Sequence, residues 1–254
     1  MRKDTIRQWV NLLAFGATVV ANGLANALPI NGQTTGEISD RFQVYFVPAG
    51  YVFSIWGLIY LGLGAFAIYQ LLPALRENPR LRRIGYLFAF SCLANVAWLL
   101  LWHYELFALT VVAMVVLLLT LIAIYLRLEI GRAPVSAAEE WLVRVPFRIY
   151  LGWITVATIA NVTSFLDYAG WGGWGIRPEV WAVIMLVAGA VIASAVGLTR
   201  GDGAYMLVIV WAFVGIAVKH AATPLVATAA WTMTGVVVVM LVVSVILRRR
   251  STAT

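Results

Sequence analysis

The sequence contains very little charge for its length. Only 11% of its 254 residues are Asp, Glu, Lys or Arg, whereas 63% are hydrophobic and the mean hydropathy is +0.91. A soluble domain carries about 25% charged residues, and a disordered chain combines low hydrophobicity with high charge. Both classes are therefore excluded, and we expect most of the chain to lie in a lipid bilayer.

The sequence also has only one cysteine and none of three common catalytic or phosphate-binding motifs. Cys92 is the single cysteine, which excludes an intrachain disulfide and a Cys-x-x-Cys metal or redox site. No Gly-x-Ser-x-Gly, His-Glu-x-x-His or glycine-rich phosphate loop occurs in the sequence. We therefore do not expect an enzyme.

The net charge of +7 does not indicate a nucleic-acid partner. The basic residues form short clusters between apolar runs, as the positive-inside rule predicts for loops of a membrane protein. No polar stretch is long enough to form a basic face with stacking aromatic rings. The expected partners are therefore the lipid bilayer and a hydrophobic small molecule, with no nucleic acid.

Eight apolar runs are long enough to cross a hydrocarbon core of about 30 Å, which needs roughly 20 residues per helix. They lie near residues 8–28, 51–72, 84–104, 106–126, 146–167, 180–198, 204–220 and 224–247. With the N-terminus inside, all of the 18 Lys and Arg except Arg41, Arg177 and Lys219 lie on the inner side. The sequence thus predicts an all-α integral membrane protein with eight transmembrane helices and both termini in the cytoplasm.

The segments between the predicted helices are short. The outer loop 29–50 is predicted to be a turn-rich coil, and the inner stretch 127–145 a helical turn on the surface. The outer loop 168–179 contains several tryptophans, for which anchoring at the membrane interface is favoured over a role as a ligand lid.

No charged residue falls in the middle of a predicted helix. Ion-coupled pumps and proton relays are built on such residues, so the sequence disfavours a proton- or sodium-driven transporter. Lys219 lies at a helix end without a nearby carboxylate in sequence, which also argues against a retinal protein.

Three predicted helices each place flat rings and hydrogen-bonding groups on one face, because the spacing follows the helical repeat. These faces carry Phe53, Trp56 and Tyr60; then Ser91, Asn95, Trp98 and Trp102; then Tyr150, Trp153, Ala157 and Asn161. If they converge, they enclose an aromatic-walled cavity suited to a flat hydrophobic ligand. The alternative is that the rings pack the core and the amides link neighbouring helices, as we expect for Asn22 and Asn26.

The same faces resemble three motifs of the tryptophan-rich sensory protein family, which includes the mitochondrial translocator protein. Residues 48–60 read PAGYVFSIWGLIY, residues 91–98 read SCLANVAW, and residues 149–161 read IYLGWITVATIAN. They are similar to the family patterns V-F-x-x-V-W-x-x-L-Y, Q-L-x-L-N-x-x-W and P-Y-x-x-W-x-x-F-A-x-x-L-N. The departures are Ser91 in place of Gln and Ile149 in place of Pro.

The resemblance implies a five-helix bundle over residues 1–168, which leaves 169–254 as a three-helix C-terminal extension. It implies a pocket for a porphyrin, another tetrapyrrole or a sterol-like lipid, with no required cofactor, and it makes a homodimer an expectation. Together with the three faces, it assigns the ligand-binding residues Phe53, Trp56, Tyr60, Asn95, Trp98, Trp102, Tyr150, Trp153 and Asn161.

The function expected from these features is a membrane receptor or carrier with a sensory or regulatory role. The alternatives are a structural or assembly subunit of a larger membrane complex and a facilitative small-molecule transporter. For His103 we consider an axial haem ligand and a histidine in a tight interfacial turn. If the source is bacterial, the expected location is the plasma (inner) membrane.

Overall fold

The computed structural model describes residues 2–28 and 30–251, and most of this part is helical. Eight long helices follow one another in these described residues: α1 (Arg2–Ala27), α2 (Ile55–Tyr69), α3 (Leu87–His103), α4 (Phe107–Arg127), α5 (Val145–Tyr168), α6 (Pro178–Arg200), α7 (Gly203–Lys219) and α8 (Pro224–Ser251). Each predicted apolar run overlaps one of them. Met1, residues 252–254 and Pro29, the first residue of the predicted loop 29–50, lie outside the described residues, as do the side chains of Arg2, Arg250 and Ser251.

Six helical stretches of the described chain are long and apolar enough to cross a membrane. The other two long helices, α3 and α7, are apolar but have 17 residues each, slightly fewer than the roughly 20 typical of a span. The protein is therefore an integral multi-pass membrane protein. The count of eight spans and the cytoplasmic position of both termini stay predictions.

Local sequence signals account for several helix ends. Pro178 and Pro224 begin α6 and α8. Proline is favourable at a first helical position, because a backbone N–H there would make no hydrogen bond within the helix. Asp202 caps α7, because its Oδ1 accepts a hydrogen bond from the backbone N–H of Tyr205 at 3.0 Å. Gly201 ends α6 with a left-handed φ of +60°. Two residues therefore suffice to connect α6 to α7.

The helices form two groups that touch along α5 and α7. Helices α1 to α5 form a closed ring in the order α1–α2–α5–α4–α3, and α6, α7 and α8 pack on one another. At Gly152 of α5, a Cβ would lie 3.1 Å from the backbone oxygen of Tyr205 and 3.0 Å from Cβ of Val208, both on α7. The absence of a side chain at Gly152 therefore lets the two groups approach closely.

Ion pairs identify the two ends of the bundle. At one end, called the loop end below, Arg41 pairs with Glu105 at 2.9 Å, between the α1–α2 and α3–α4 connections. At the other end, called the terminal end, Asp4 of α1 pairs with Arg82 at 2.7 Å. The described parts of α1 and α8 begin and finish, respectively, at the terminal end.

The connection between α1 and α2 is more ordered than predicted. It contains a short helix, Thr35–Asp40, so the prediction of coil was wrong in this part. A capping box starts this helix: Thr34 Oγ1 accepts from the Glu37 N–H at 3.3 Å, and Glu37 Oε2 accepts from the Thr34 N–H at 2.7 Å. In the stretch 127–145, a helical turn continues through a π-helical turn, Glu140–Arg144, into α5.

Candidate ligand-binding cavity

The aromatic faces of α2 and α5 meet inside the five-helix ring. The ring centroid of Trp56 lies 6.2 Å from that of Trp153 and 6.0 Å from that of Tyr150. Phe53 lies 5.6 Å from Trp153, and Trp56 stacks on Tyr60 at 5.4 Å. Trp153 is only 2% exposed, so its indole faces protein rather than lipid. The structure thus brings together five side chains that the helical spacing had placed on two separate faces.

Hydrogen bonds connect α3 to this cluster. Asn95 Nδ2 donates to the hydroxyl of Tyr150 at 3.2 Å, and Asn95 Oδ1 accepts from Asn22 Nδ2 of α1 at 2.9 Å. An amide buried in the membrane needs such partners because lipid tails supply none. Asn95 and Tyr150 therefore link α1, α3 and α5 one helical turn from Trp98 and Trp153, and neither is among the described residues that line the cavity.

A cavity with two chambers lies inside this part of the ring. The inner chamber has a volume of about 80 Å³, and its mostly apolar walls include four indole rings. Trp98 and Trp102 stack at 5.5 Å and form its α3 wall. The predicted site residues that line it are Phe53, Trp56, Trp98, Trp102, Trp153 and Asn161.

The larger chamber has a volume of about 510 Å³ and lies between α1, α2 and α3. It shares Trp56 and Trp98 with the inner chamber, and Tyr60 lines it from α2. Asn22 and Asn26 of α1 border it as well. Asn22 is therefore both the predicted helix link, through Asn95, and a polar group on the chamber wall.

Four buried polar atoms around the two chambers have no hydrogen-bond partner within the described chain. They are Nε1 of Trp98, Nε1 of Trp153, the hydroxyl of Tyr60 and Oδ1 of Asn161. The amide nitrogen of Asn161 donates to Thr110 Oγ1 at 2.9 Å, which orients the amide. Because buried polar atoms are normally paired, these atoms offer three donors and one acceptor to a bound molecule.

The connection between α1 and α2 covers the cavity at the loop end. Thr35 and Ser39 of this connection line both chambers. The indole N–H of Trp102 donates to the backbone oxygen of Thr35 at 3.3 Å. The short helix that contains Thr35 is thereby attached to the end of α3, so the cavity has a fixed cover.

His103 helps to hold this cover and is not free to bind a metal. Its Nδ1 lies 3.1 Å from the backbone oxygen of Ile30, and its Nε2 lies 3.0 Å from Thr35 Oγ1. The carbonyl oxygen can only accept, so Nδ1 carries the proton and Nε2 accepts from the threonine hydroxyl. Both ring nitrogens are engaged with described residues, which favours the alternative of a structural histidine in a turn over the haem-ligand hypothesis.

Charged side chains lie near the ends of the bundle. Asp40 borders the larger chamber at the loop end, where it pairs with Lys219 at 3.1 Å. At the terminal end, Asp202 accepts a hydrogen bond from the Tyr125 hydroxyl at 2.9 Å and lies 3.7 Å from Arg148. Burial raises the pKa of Asp202, although Arg148 and the hydrogen bonds act in the opposite direction. No Asp, Glu, Lys or Arg is among the described residues that line the inner chamber.

The chain matches a known protein family over most of its length. The family model described as TSPO-like protein matches residues 8–243, nearly the whole chain. The chain belongs to this family. The resemblance predicted from the motifs at 48–60, 91–98 and 149–161 is therefore confirmed.

The match to the TSPO-like family extends through α6 and α7 into α8. It thus reaches beyond the five helices that carry the three motifs, and the division into residues 1–168 and 169–254 stays a prediction. TSPO-like proteins are generally not enzymes, and the lack of catalysis in this chain remains an expectation. No curated protein and no solved structure matches the chain.

The sequence-based reasoning missed the lining residues of the α1–α2 connection. Thr35, Ser39 and Pro48 line both chambers, but they belong to no periodic apolar pattern. Thr34 and Glu37 have the spacing of a capping box, which predicts the start of a short helix. This spacing does not predict that the helix contacts α3.

Proposed function

We propose that this TSPO-like protein is a membrane receptor or carrier that binds a flat hydrophobic molecule in the two-chambered cavity. The ligand class is a porphyrin or other tetrapyrrole, or a sterol-like lipid. The observation that carries the proposal is the set of unpaired buried polar atoms around a largely apolar wall rich in aromatic rings. If this region were only a packed core, those atoms would stay without hydrogen bonds, which costs free energy. A ligand with a polar edge would supply the missing partners.

The volumes of the chambers indicate where the ligand would lie. Small-molecule pockets usually have volumes of about 300–1,000 Å³, so the inner chamber of about 80 Å³ is too small on its own. The larger chamber of about 510 Å³ lies within that range. We therefore place the body of the ligand in the larger chamber and one edge of it in the inner chamber.

The side chains around this position suit an aromatic or otherwise flat molecule. Trp56 and Trp98 wall both chambers, so their rings would contact the body of the ligand. The unpaired N–H groups of Trp98 and Trp153 would donate to a carboxylate or carbonyl on its edge. Asn161 Oδ1 would accept from a hydroxyl group or a protonated carboxyl group on the same edge. A porphyrin with carboxyl side chains and a sterol-like lipid with a hydroxyl both carry a suitable group, and neither needs a metal ligand from His103.

The position of the larger chamber supports access from the bilayer. Its walls include Gly23 of α1 and Gly50 of the turn before α2, and an added Cβ at either glycine would meet no atom within 4 Å. Open space at these two glycines is a route by which an apolar molecule could reach the chamber sideways. This arrangement supports a receptor or carrier for molecules dissolved in the membrane.

Titration with protoporphyrin IX tests the proposal. The purified protein in a non-ionic detergent should show saturable quenching of tryptophan fluorescence. Trp153→Phe keeps an aromatic ring but removes the unpaired N–H, so we expect the dissociation constant to rise about 3- to 10-fold. Trp231→Phe is the matched control, because Trp231 lies on α8 and is 52% exposed; it should leave the affinity unchanged.

Two results would overturn the proposal. One is quenching that never saturates, and the other is an equal affinity in the wild type, Trp153→Phe and Trp231→Phe. If quenching is absent and a fixed protein partner co-purifies instead, the structural or assembly subunit becomes the better interpretation.

A further inference from the structure

A second pocket lies at the loop end between α5 and α6, outside the two-chambered cavity. Its volume is about 270 Å³. The walls come from the end of α5, the beginning of α6, the glycine- and tryptophan-rich connection between them, and residues 43–46 of the α1–α2 connection. The pocket therefore lies where the five-helix ring meets the three-helix group.

Three indoles form a cluster at this pocket. The ring centroids of Trp171, Trp174 and Trp181 are 5.1 to 5.8 Å apart. The indole N–H of Trp181 donates to the backbone oxygen of Gly173 at 3.0 Å. Gly173 has φ +61°, and a Cβ there would lie 3.3 Å from that indole nitrogen. The turn is thus folded onto Trp181, and both Trp171 and Trp181 line the pocket wall.

The charge of the pocket is negative. Asp167 is the only carboxylate among the described lining residues, and no Lys, Arg or His is among them. Its Oδ2 accepts from the backbone N–H of Gln43 at 3.2 Å, and it forms no ion pair with any described residue. A second carboxylate, Glu179, lies behind the lining residue Tyr45, whose hydroxyl is 3.5 Å from Glu179 Oε1. A carboxylate beside indole faces favours a cation.

An apolar groove continues from this pocket along α5 and α6. It has a volume of about 270 Å³ and shares four lining residues with the pocket: Thr163, Leu166, Trp171 and Trp181. Its further walls are apolar apart from one threonine: Thr158, Ile159, Val162 and Met185. The α5 residues from 159 to 166 span about 10 Å at 1.5 Å per residue. A hydrocarbon chain could therefore lie along this groove while its head group occupies the pocket.

We propose that this pocket and groove bind a single-chain amphiphile with an organic ammonium head group. The ammonium group contacts the indole faces of Trp171 and Trp181 and is balanced by Asp167. The tail lies in the groove beside Ile159 and Met185. This site is separate from the cavity proposed above, and it takes a ligand of different charge and shape.

Native mass spectrometry in dodecyl maltoside tests the proposal with dodecyltrimethylammonium as the probe. The wild type should form a saturable 1:1 adduct. Trp171→Leu should weaken the adduct about tenfold because it removes a cation–π contact. Asp167→Asn keeps an acceptor for Gln43 N–H but removes the charge, and should weaken it about threefold. Glu105→Gln makes an equal charge change at the loop end and should leave it unchanged.

The same titration with dodecanol separates the charge from the tail, and we expect little binding of this uncharged analogue. Thermal unfolding of each variant verifies that the fold is retained. We expect Asp167→Asn to bind protoporphyrin IX as the wild type does, which would show that the pocket and the two-chambered cavity are separate sites. Competition by lysophosphatidylcholine, which has a single acyl chain, would identify a lipid head group as the source of the ammonium, and lack of competition would identify a free amphiphile. Equal binding of dodecyltrimethylammonium and dodecanol, or equal affinity in the wild type, Trp171→Leu and Asp167→Asn, would overturn the proposal.

Discussion

The five-helix ring and the three-helix group are both apolar, but their interiors differ. In the ring, large side chains such as Trp56 and Trp153 meet edge to face and leave chambers beside them. Between α6 and α7, a Cβ at Gly189 would lie 2.9 Å from the ring of Phe213, and one at Gly197 would lie 2.3 Å from Sδ of Met206. Small residues there let the helices approach closely. The size of the facing side chains therefore decides whether such helices enclose a space or pack tightly.

The largest expected effect concerns the contact between the two groups. Gly152→Val would push a branched side chain into the backbone of α7 at Tyr205. Such overpacking should lower the free energy of unfolding by about 1–3 kcal/mol, measured as a lower thermal unfolding midpoint in detergent. Gly235→Val is the matched control, because an added Cβ at Gly235 of α8 meets no atom within 4 Å. Equal midpoints for the two variants would show that close approach at Gly152 does not join the groups.

A smaller effect is expected inside the ring. Asn95→Leu removes the hydrogen bonds that connect α3 to Asn22 of α1 and to Tyr150 of α5. We expect a loss of about 1–2 kcal/mol, because two hydrogen bonds between helices are removed and each contributes about 0.6–1 kcal/mol. Asn26→Leu is the control, since the Asn26 side chain is exposed and donates to Asn22 O of its own helix. If both variants unfold at the wild-type midpoint, hydrogen bonding does not hold the ring together.

The smallest effect is a pH dependence where α7 meets the ring. Burial raises the pKa of Asp202 above its ordinary value of 3.8, so the folded state holds this proton more tightly than the unfolded state. The associated stability is present at low pH and is lost as pH rises through the folded-state pKa. The wild type should therefore become less stable between about pH 4 and pH 7, as Asp202 loses its proton, whereas Asp202→Asn has no proton to lose at this position. The free energy of unfolding of Asp202→Asn, relative to that of the wild type, should increase over this range.

Thermal unfolding at both pH values measures this difference. Asp40→Asn serves as the control, because the Asp40 side chain is largely exposed at the loop end. A stability difference for Asp202→Asn that stays constant, or that decreases with pH, would contradict the assigned direction.

The sequence was most informative where a regular period repeats. The spacing of Phe53, Trp56 and Tyr60 predicted one face of α2, and the motif at 149–161 predicted the matching face of α5. Their aromatic rings do meet in the structure. Asn95 and Tyr150 were assigned to the ligand site by the same spacing, but they bond to each other instead of lining the cavity. Helical spacing alone cannot distinguish a residue that lines the cavity from one that forms a hydrogen bond between helices one turn away.

Hydropathy, charge distribution and helical spacing, which are local properties of the chain, were sufficient to predict a multi-pass helical membrane protein, and the resemblance of three short motifs predicted its family. Three features depended on contacts between distant residues: the cover that Thr35 and His103 attach to α3, the close approach at Gly152, and the pocket between Asp167 and Trp181. Only the tertiary structure decided these, because in an apolar environment helices find their neighbours through shape and hydrogen bonding, which hydropathy does not record.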